Sequence, residues 1–170
     1  MPEYDICKNC GGEVTKDSDF CPHCGVLFTE SEAVFCDAHQ ERQASGICIV
    51  CRKLVCEKCG VRVHRRVFCL EHKDIEVQQD WAMIFESTDI NEAELAKSFL
   101  QSMSFRLQFQ SFNSIGFVWD GGGDSALSRS ALSKPAKIFV PIPEYLEALK
   151  AFQEWRSGGS IKDDSDAETS

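Results

Sequence analysis

Ten cysteines and two histidines in the first 72 residues have the spacing of metal ligands. They form six pairs, each with two residues between its members, in the segments CKNC, CPHC, CDAH, CIVC, CEKC and CLEH. Zinc takes four nitrogen or sulfur ligands in a tetrahedron, and a pair with this spacing can occupy one edge of it. The six pairs therefore predict three zinc ions per chain, each held by four side chains.

The first module, residues 1–30, contains two pairs and so predicts one complete site. Its ligands are Cys7, Cys10, Cys21 and Cys24. A glycine follows each pair and suits the tight turn that directs backbone amides at the sulfurs. The ten residues between the pairs are enough for a short β-hairpin. The module resembles the short bacterial zinc ribbons with two CxxCG knuckles.

Other residues of this ribbon have simpler expected roles. A small apolar cap is expected from Ile6, Val14, Phe20, Val26 and Phe28. His23 lies inside CPHC, but four sulfurs already complete the site. We expect His23 to be a solvated residue between ligands.

The second module, residues 34–74, carries the other four pairs and predicts two sites. The segment resembles the B-box zinc finger, in which ligand pairs alternate between two ions. The resemblance implies one zinc held by Cys36, His39, Cys56 and Cys59, and another held by Cys48, Cys51, Cys69 and His72. The short link Arg52–Val55 between neighbouring pairs suits this alternation. Many members end in two histidines rather than in CxxH, which leaves His64 as a competing ligand.

These zinc ions are expected to be structural. Four protein ligands per ion leave no open position for water, and no paired acids or nucleophile–base arrangement stands out, so an enzyme is not expected. Modules this small bury little apolar surface. Structural zinc contributes roughly 10–16 kcal/mol in finger peptides, so both modules are expected to unfold without metal.

Charge and composition limit the partners. The net charge of −9 disfavours non-specific binding to a phosphate backbone, although residues 36–73 carry eight basic and four acidic side chains. No secretory signal and no apolar run of about 18 residues is present, so no membrane contact is expected. Cysteines used as metal ligands favour a reducing cytoplasm over a disulfide framework.

The basic segment VRVHRRV, residues 61–67, is the strongest candidate for partner binding. Taken as one extended segment, it places Arg62, His64 and Arg66 on one face and Arg65 on the other. Arg62, Arg65 and Arg66 are candidate contacts for an acidic partner or a nucleic acid. The favoured alternative is a solvated face, because no aromatic residue interleaves to stack on bases.

Residues 78–156 predict an α+β domain, and the polar segment DIEVQQD at 74–80 is expected to connect it to the second module. WAMIFES has the apolar bulk of a buried strand. A helix begins at the capping box of Asp89 and Glu92, and its apolar face is formed by Ala93, Ala96, Phe99, Leu100 and Met103. The alternation in FRLQFQSF predicts a strand with one wet face, with Phe105, Leu107 and Phe109 pointing inward.

The rest of this domain continues the pattern. IGFVW is expected to pair as a second strand, and residues 120–134 to form a loop with Gly121–Gly123. AKIFVPI predicts the last strand. Pro143 suits the first turn of a helix, which is expected to bury Leu146, Leu149 and Phe152, with Tyr145 and Trp155 at its edges. The acidic residues 157–170 are expected to be a disordered tail.

This order of elements predicts a ferredoxin-like plait that lacks its last strand. The domain is similar to a small bacterial family of prokaryotic signal-transducing proteins through Trp81, Asn91-Glu92-Ala93 and Val140-Pro141. That resemblance implies ligand sensing or signalling.

Taken together, the sequence predicts a bacterial zinc-binding adaptor or signalling protein that acts through protein–protein interaction. Two alternatives stay open. One is a nucleic-acid-binding protein that uses the ribbon and the Arg62–Arg66 strip. The other is a redox or metal sensor, since CxxC thiolates release zinc when they are oxidised.

Overall fold

A computed structural model of the 170-residue chain describes residues 3–28, 33–111 and 134–158. The chain divides into two compact units. The cysteine-rich unit comprises residues 1–83 and 139–145, and the α+β unit comprises residues 84–138 and 146–170. The cysteine-rich unit contains both the ribbon and the finger.

Six short strands of the cysteine-rich unit form three two-stranded antiparallel sheets. They are β1 (Tyr4–Ile6) with β2 (Glu13–Thr15), β3 (Gly46–Ile47) with β4 (Leu54–Val55), and β5 (Gly60–Val63) with β6 (Arg66–Cys69). Each strand has two to four residues. Strands this short bury little surface, so their position depends on the turns that join them.

The basic segment at 61–67 is a hairpin, and its prediction as one extended segment is wrong. Val63 pairs with Arg66, and the two residues between them have positive φ, +47° at His64 and +67° at Arg65. Positive φ at both central positions is the geometry of a type I′ turn, which matches the twist of the flanking strands. The chain folds back because this pairing buries Val67 and Phe68.

The predicted apolar cap of the ribbon is incomplete. Val14 is buried and Val26 is packed against the buried cysteines. Ile6 and Phe28 are instead 56% and 37% exposed. All three residues of β1 face solvent, so Ile6 has no neighbouring layer to pack against.

The remaining four strands form one sheet in the order β7-β8-β10-β9. They are β7 (Val77–Gln78), β8 (Trp81–Ser87), β9 (Gln108–Gln110) and β10 (Ala136–Pro141). The segment predicted as a polar connector thus contains a strand. Val77 pairs antiparallel with Ala82, and the tight reversal between them places Gln79 at φ +53°.

Helix α1 (Ile90–Ser102) begins at the predicted residue. Asp89 is the N-cap, and its carboxylate accepts a hydrogen bond from the amide of Asn91 at 2.8 Å. The expected capping box is closed through Ser87, whose hydroxyl donates to Glu92 and accepts from the amide of Asp89. A serine therefore mediates the contact that Glu92 makes directly in a simple box.

The buried face of α1 is shorter than predicted. Ala93, Ala96 and Leu100 are buried, whereas Met103 is 51% exposed. Helix α1 ends at Ser102, and Ser104 has φ +65°. Met103 is exposed because the chain leaves the helical path there.

Helix α2 (Tyr145–Arg156) follows a 3₁₀ turn at Ile142–Glu144 that contains Pro143. Phe152 is buried as predicted, but Leu146 is 43% exposed. Six positions separate these residues, about 240° around a helix with 3.6 residues per turn, so they cannot share one face. Ala148 occupies the buried position instead.

Aromatic rings connect the two helices within the α+β unit. Phe99 of α1 stacks on Trp155 of α2 with centroids 4.8 Å apart, and Phe152 lies 5.2 Å from Phe85. Offset and tilted ring pairs at these distances add stability beyond their buried area. They place both helices against one core.

The predicted strand at 105–112 is reduced to β9 in the described residues. Its alternation is confirmed from 105 to 109, where Phe105, Leu107 and Phe109 are half-buried while Arg106 and Gln108 are exposed, but it does not extend to Gln110, which is half-buried. The predicted strand IGFVW, the loop with Gly121–Gly123 and most of the acidic tail lie outside the described residues. Neither α1 nor α2 nor any other helix in the described ranges has the length and apolar character to cross a membrane.

We expect Leu100→Ala to reduce the free energy of unfolding by about 2–5 kcal/mol, because it opens a cavity at a fully buried position. Leu95→Ala on the same helix, at a position 59% exposed, should change it by no more than about 0.5 kcal/mol. Urea unfolding of zinc-saturated protein, followed by helical circular dichroism, measures both. Equal losses in the two variants would contradict this assignment of the core.

Candidate metal centres

The predicted ligands come together in three groups of four, and the ligand atoms of each group lie within 4.8 Å of one another. We name them the ribbon site, the first finger site and the second finger site. Their members are Cys7, Cys10, Cys21 and Cys24; Cys36, His39, Cys56 and Cys59; and Cys48, Cys51, Cys69 and His72. The finger pairs alternate between two sites, as the resemblance implied.

The donor atoms have the spacing that zinc requires. All ten cysteines are free thiols, and the close sulfur–sulfur separations within the sites run from 3.3 to 3.8 Å. A disulfide would need about 2.05 Å. A tetrahedron with Zn–S bonds of about 2.3 Å has edges of about 3.8 Å, close to the upper end of this range. The residues therefore fit zinc.

The first knuckle of the ribbon site lies at the tip of the β1–β2 hairpin. The amide of Cys7 donates to the carbonyl of Gly12 at 2.9 Å, and the amide of Gly11 donates to the carbonyl of Cys7 at 2.8 Å. The amide of Gly12 also points at the sulfur of Cys10. The hairpin thus flanks the first pair, whereas we expected it to lie between the two pairs.

The second knuckle of the ribbon site repeats the first. The amide of Cys21 donates to the carbonyl of Val26, and the amide of Gly25 donates to the carbonyl of Cys21, both at 2.8 Å. Gly25 has φ +75° and Gly11 has φ +76°, a region that glycine enters without strain. The expected role of these glycines is confirmed.

The first finger site combines three sulfurs with one imidazole nitrogen. The sulfurs of Cys36 and Cys59 are 3.3 Å apart. His39 presents Nδ1, which lies 3.7 Å from the sulfur of Cys36 and 3.6 Å from that of Cys56. The sequence predicted His39 as a ligand but not which nitrogen it offers.

The second finger site has the same composition. The sulfurs of Cys51 and Cys69 are 3.8 Å apart, and Nδ1 of His72 lies 3.7 Å from the sulfur of Cys48. Arg52, which follows Cys51, has φ +61° and donates its amide to the carbonyl of Cys48. It occupies the knuckle position that Gly11 and Gly25 hold in the ribbon, at a cost in backbone strain.

Two histidines lie outside the sites. His64 is exposed in the turn between β5 and β6. His72, rather than His64, is the fourth ligand of the second finger site. His23 is not a ligand, as expected, and its side chain is 35% exposed, but it also makes two polar contacts that the sequence did not predict. Its Nδ1 lies 3.0 Å from the carboxylate of Asp80, and its Nε2 lies 3.2 Å from the carbonyl of Glu13.

Thiol ionisation within the sites favours a bound cation. Burial opposes ionisation of Cys36, but hydrogen bonds with Cys59 and His39 outweigh it and lower the pKa of Cys36 to about 6. Burial and, to a smaller extent, the charge of Cys48 together raise the pKa of Cys51 to about 12. A thiolate thus makes ionisation of a neighbouring thiol in the same site less favourable. The positive charge of a divalent ion would offset this repulsion between thiolates. Burial also lowers the pKa of His72, which keeps its imidazole neutral and able to bind metal.

The three arginines predicted to bind a partner lie in different environments. Arg65 donates to the carbonyl of Asn9 at 3.4 Å, and the Asn9 amide group donates to the carbonyl of Arg65 at 2.8 Å. Arg62 is exposed and reaches the carbonyl of Ser45 at 3.5 Å. Arg66 is half-buried, and its Nη1 has no hydrogen-bond partner within the described residues. These three side chains do not form one continuous strip.

Comparison with known families bears on one part of the chain. Residues 31–77 match the family model of the B-box zinc finger. The B-box segment contains both finger sites, so the resemblance stated from the sequence is confirmed there. Searches of curated proteins and of solved structures found no match to the chain.

Sequence reasoning missed the residues that join the ribbon to the B-box finger. They are Asn9, Gly25, Gly46, Arg52 and Arg65, and each makes or permits a contact between the two modules. Gly46 gave the only local signal, a glycine inside a strand, which often marks close approach of another backbone.

We expect purified protein to contain three zinc ions per chain and His72→Asn to reduce that count by one, because His72 supplies the fourth ligand of the second finger site. His64→Asn should leave the count unchanged, since His64 is exposed in a turn. Elemental analysis after a chelator wash measures the count. A full complement in His72→Asn with a loss in His64→Asn would reverse the ligand assignment.

Proposed function

We propose that this chain is a zinc-binding adaptor or signalling protein that acts by protein–protein recognition, with zinc ions that are structural. The observation that carries this proposal is an apolar cluster left exposed on the ribbon, beside a metal site closed by four cysteines. All ten cysteines are free of disulfides and available as metal ligands, which supports a reducing compartment. We propose the bacterial cytoplasm.

The composition of the metal sites supports a structural role. Each site has four protein ligands, the number found in structural zinc sites, whereas catalytic sites keep one position for water. We therefore propose that the chain is not an enzyme and that zinc holds the recognition surface in shape.

The exposed cluster has the character of a recognition surface. Tyr4 and Ile6 are 61% and 56% exposed and lie on one face of β1, because they are two positions apart in a strand. Ile6, Val14, Val26 and Phe28 line a cleft of about 390 Å³. Val14 is buried, whereas Tyr4, Ile6 and Phe28 are exposed. Burying one such side chain is worth about 1.5–3 kcal/mol, so these three exposed side chains support an interaction site.

The charges around the cleft indicate what would occupy it. Lys8 and Lys16 line the same cleft, and Lys8 is exposed. Lys16 is paired with Glu3 at 2.7 Å, and Asp5, which also lines the cleft, accepts a hydrogen bond from the amide of Ile6 at 2.7 Å. Lys8 is therefore the cation offered to a partner. The occupant we propose is a protein segment with an apolar anchor and a neighbouring acidic residue.

The nucleic-acid alternative has less support. The contact between Arg65 and Asn9 uses one of the three candidate cations within the unit, and Arg66 is half-buried. Phosphate binding depends on the number of Lys and Arg side chains that reach the backbone, and the chain carries a net charge of −9. Because Arg65 and Arg66 are placed in this way, we favour the ribbon cleft over the Arg62–Arg66 strip as the recognition surface.

For residues 78–156 we propose a plait fold and a sensing or signalling role. Strand β10 lies between β8 and β9, which are joined in sequence by α1. A strand inserted between two strands connected by a helix is the split β-α-β arrangement of ferredoxin-like folds. The resemblance of Trp81, Asn91-Glu92-Ala93 and Val140-Pro141 to prokaryotic signal-transducing proteins suggests this role.

We expect zinc-loaded full-length protein to select peptides with an apolar residue beside an acidic one from a random display library. Ile6→Glu should weaken binding of a selected peptide at least tenfold, because it places a carboxylate in the apolar cleft. Leu95→Glu, at a position similarly exposed on α1, should bind it normally.

Fluorescence anisotropy with a labelled peptide measures the affinity, and the zinc content of both variants serves as the control for folding. Selection of basic peptides, or equal weakening by both substitutions, would contradict the proposed occupant.

A further inference from the structure

We propose that the ribbon site and the second finger site bind metal cooperatively, through an interface in which the two modules share main-chain hydrogen bonds. The ribbon and the B-box finger would then form one metal-dependent folding unit rather than two zinc modules in series. This inference is independent of what the ribbon cleft binds.

Two main-chain hydrogen bonds connect the sites. The amide of Val67 donates to the carbonyl of Cys24 at 2.9 Å, and the amide of Ile47 donates to the carbonyl of Gly25 at 2.8 Å. Cys24 is itself a ligand of the ribbon site. Ile47 directly precedes the ligand Cys48, and Val67 lies two positions before the ligand Cys69. Both ligand pairs of the second finger site are therefore positioned next to the ribbon knuckle.

Water is excluded from this contact. Cys24 and Cys48 are fully buried, and Ile47 and Val67 are 8% and 2% exposed. A buried amide or carbonyl that loses its partner has no solvent to replace it. If the ribbon knuckle loses its shape, the amides of Ile47 and Val67 lose their acceptors, and the second finger site loses part of its support.

Glycines allow the two backbones to approach this closely. A Cβ atom on Gly25 would lie 2.0 Å from the carbonyl oxygen of Ile47. A Cβ atom on Gly46 would lie 2.9 Å from Cγ2 of Val67 and 3.0 Å from the carbonyl oxygen of Gly25. No side chain fits at either position without a shift of the backbone.

Side chains extend the contact. Nη1 of Arg52 donates to the carbonyl of Pro22 at 3.1 Å, and its guanidinium lies 5.9 Å from the ring centre of Phe20. Arg52 directly follows the ligand Cys51. The reciprocal pair of Asn9 and Arg65 joins the first ribbon knuckle to the β5–β6 turn.

The first finger site provides an internal comparison. Its knuckle at Cys36 is held by the finger itself, through the amide of Cys36 to the carbonyl of Arg42 and the amide of Asp37 to the carbonyl of Leu54. It should therefore respond less to the state of the ribbon. The zinc affinities of the two finger sites should therefore depend to different extents on the ribbon site, and both affinities can be measured in one chain.

The physical basis of the coupling is that metal binding and local folding are one event in small zinc modules. Metal in the ribbon site fixes the carbonyls of Cys24 and Gly25, and these fix the backbone that carries the second finger site. Coupling between two sites is reciprocal, so metal in the second finger site strengthens the ribbon site by the same factor. Typical coupling corresponds to roughly 5- to 150-fold in affinity.

The test removes the ribbon metal from the full chain and measures occupancy at each finger site. The variant Cys7→Ser/Cys10→Ser deletes the knuckle remote from the two main-chain bonds. Zinc-loaded protein is titrated with a chelator, treated with an alkylating reagent and analysed by peptide mass spectrometry. The readout is the chelator concentration at which each finger cysteine becomes reactive.

We expect the second finger site to bind zinc at least tenfold more weakly in this variant, with a smaller change at the first finger site. An interface variant, Arg52→Ala/Arg65→Ala, retains every ligand and should weaken the same site. It should also reduce the further effect of Cys7→Ser/Cys10→Ser, because the two variants disrupt one connection. Arg62→Ala, whose contact stays within the finger, is the matched control.

Four outcomes would overturn the proposal. In Cys7→Ser/Cys10→Ser, these are a change in zinc affinity of less than twofold at the second finger site, or equal changes at both finger sites. The third is full additivity of the ribbon and interface variants. The fourth is an effect of Arg62→Ala as large as that of the interface variant. Should Cys7→Ser/Cys10→Ser fail to accumulate, Gly46→Val provides the same comparison with all ligands present, since its side chain separates Val67 from Gly25.

Discussion

Convergence of four side chains on one point is the constraint on which the cysteine-rich unit depends. Its strands have two to four residues, too few to hold their register by packing alone. A bound metal would instead fix each chain reversal at a ligand pair, through two sulfurs or through a sulfur and an imidazole nitrogen. The buried residues of this unit are accordingly rich in cysteine, and the apolar side chains fill the space between the sites.

The α+β unit is stabilised by different means. Its core is built from Leu100, Ala148 and Phe152 on two helices, with the ring of Trp155 stacked on Phe99. Burial of apolar surface provides the main driving force there, as in ordinary globular domains. The chain thus combines a part that requires an ion with a part whose residues include no cysteine.

The sequence was most informative where chemistry sets the spacing. The ligand pairs, the N-cap Asp89 and the bounds of strand β8 follow from residue type and local pattern, and the structure has them as predicted. The expected burial of β8 is wrong, since Ala82 is its only buried residue. The turn at His64 and Arg65 was missed because neither residue is a usual type I′ residue. The contact of Gly25 with Ile47 was missed because it joins residues distant in sequence, and local pattern carries no information about such pairs.

The close approach of Gly25 to Ile47 also determines where the chain can be divided. The segment that matches the B-box family begins at residue 31, after the carbonyls that accept from Ile47 and Val67. A fragment cut there would expose two amides and the apolar surface around them to water. Under the proposed coupling, the shortest fragment that folds by itself includes the ribbon, and the B-box segment alone would be less stable than the same segment within the full chain.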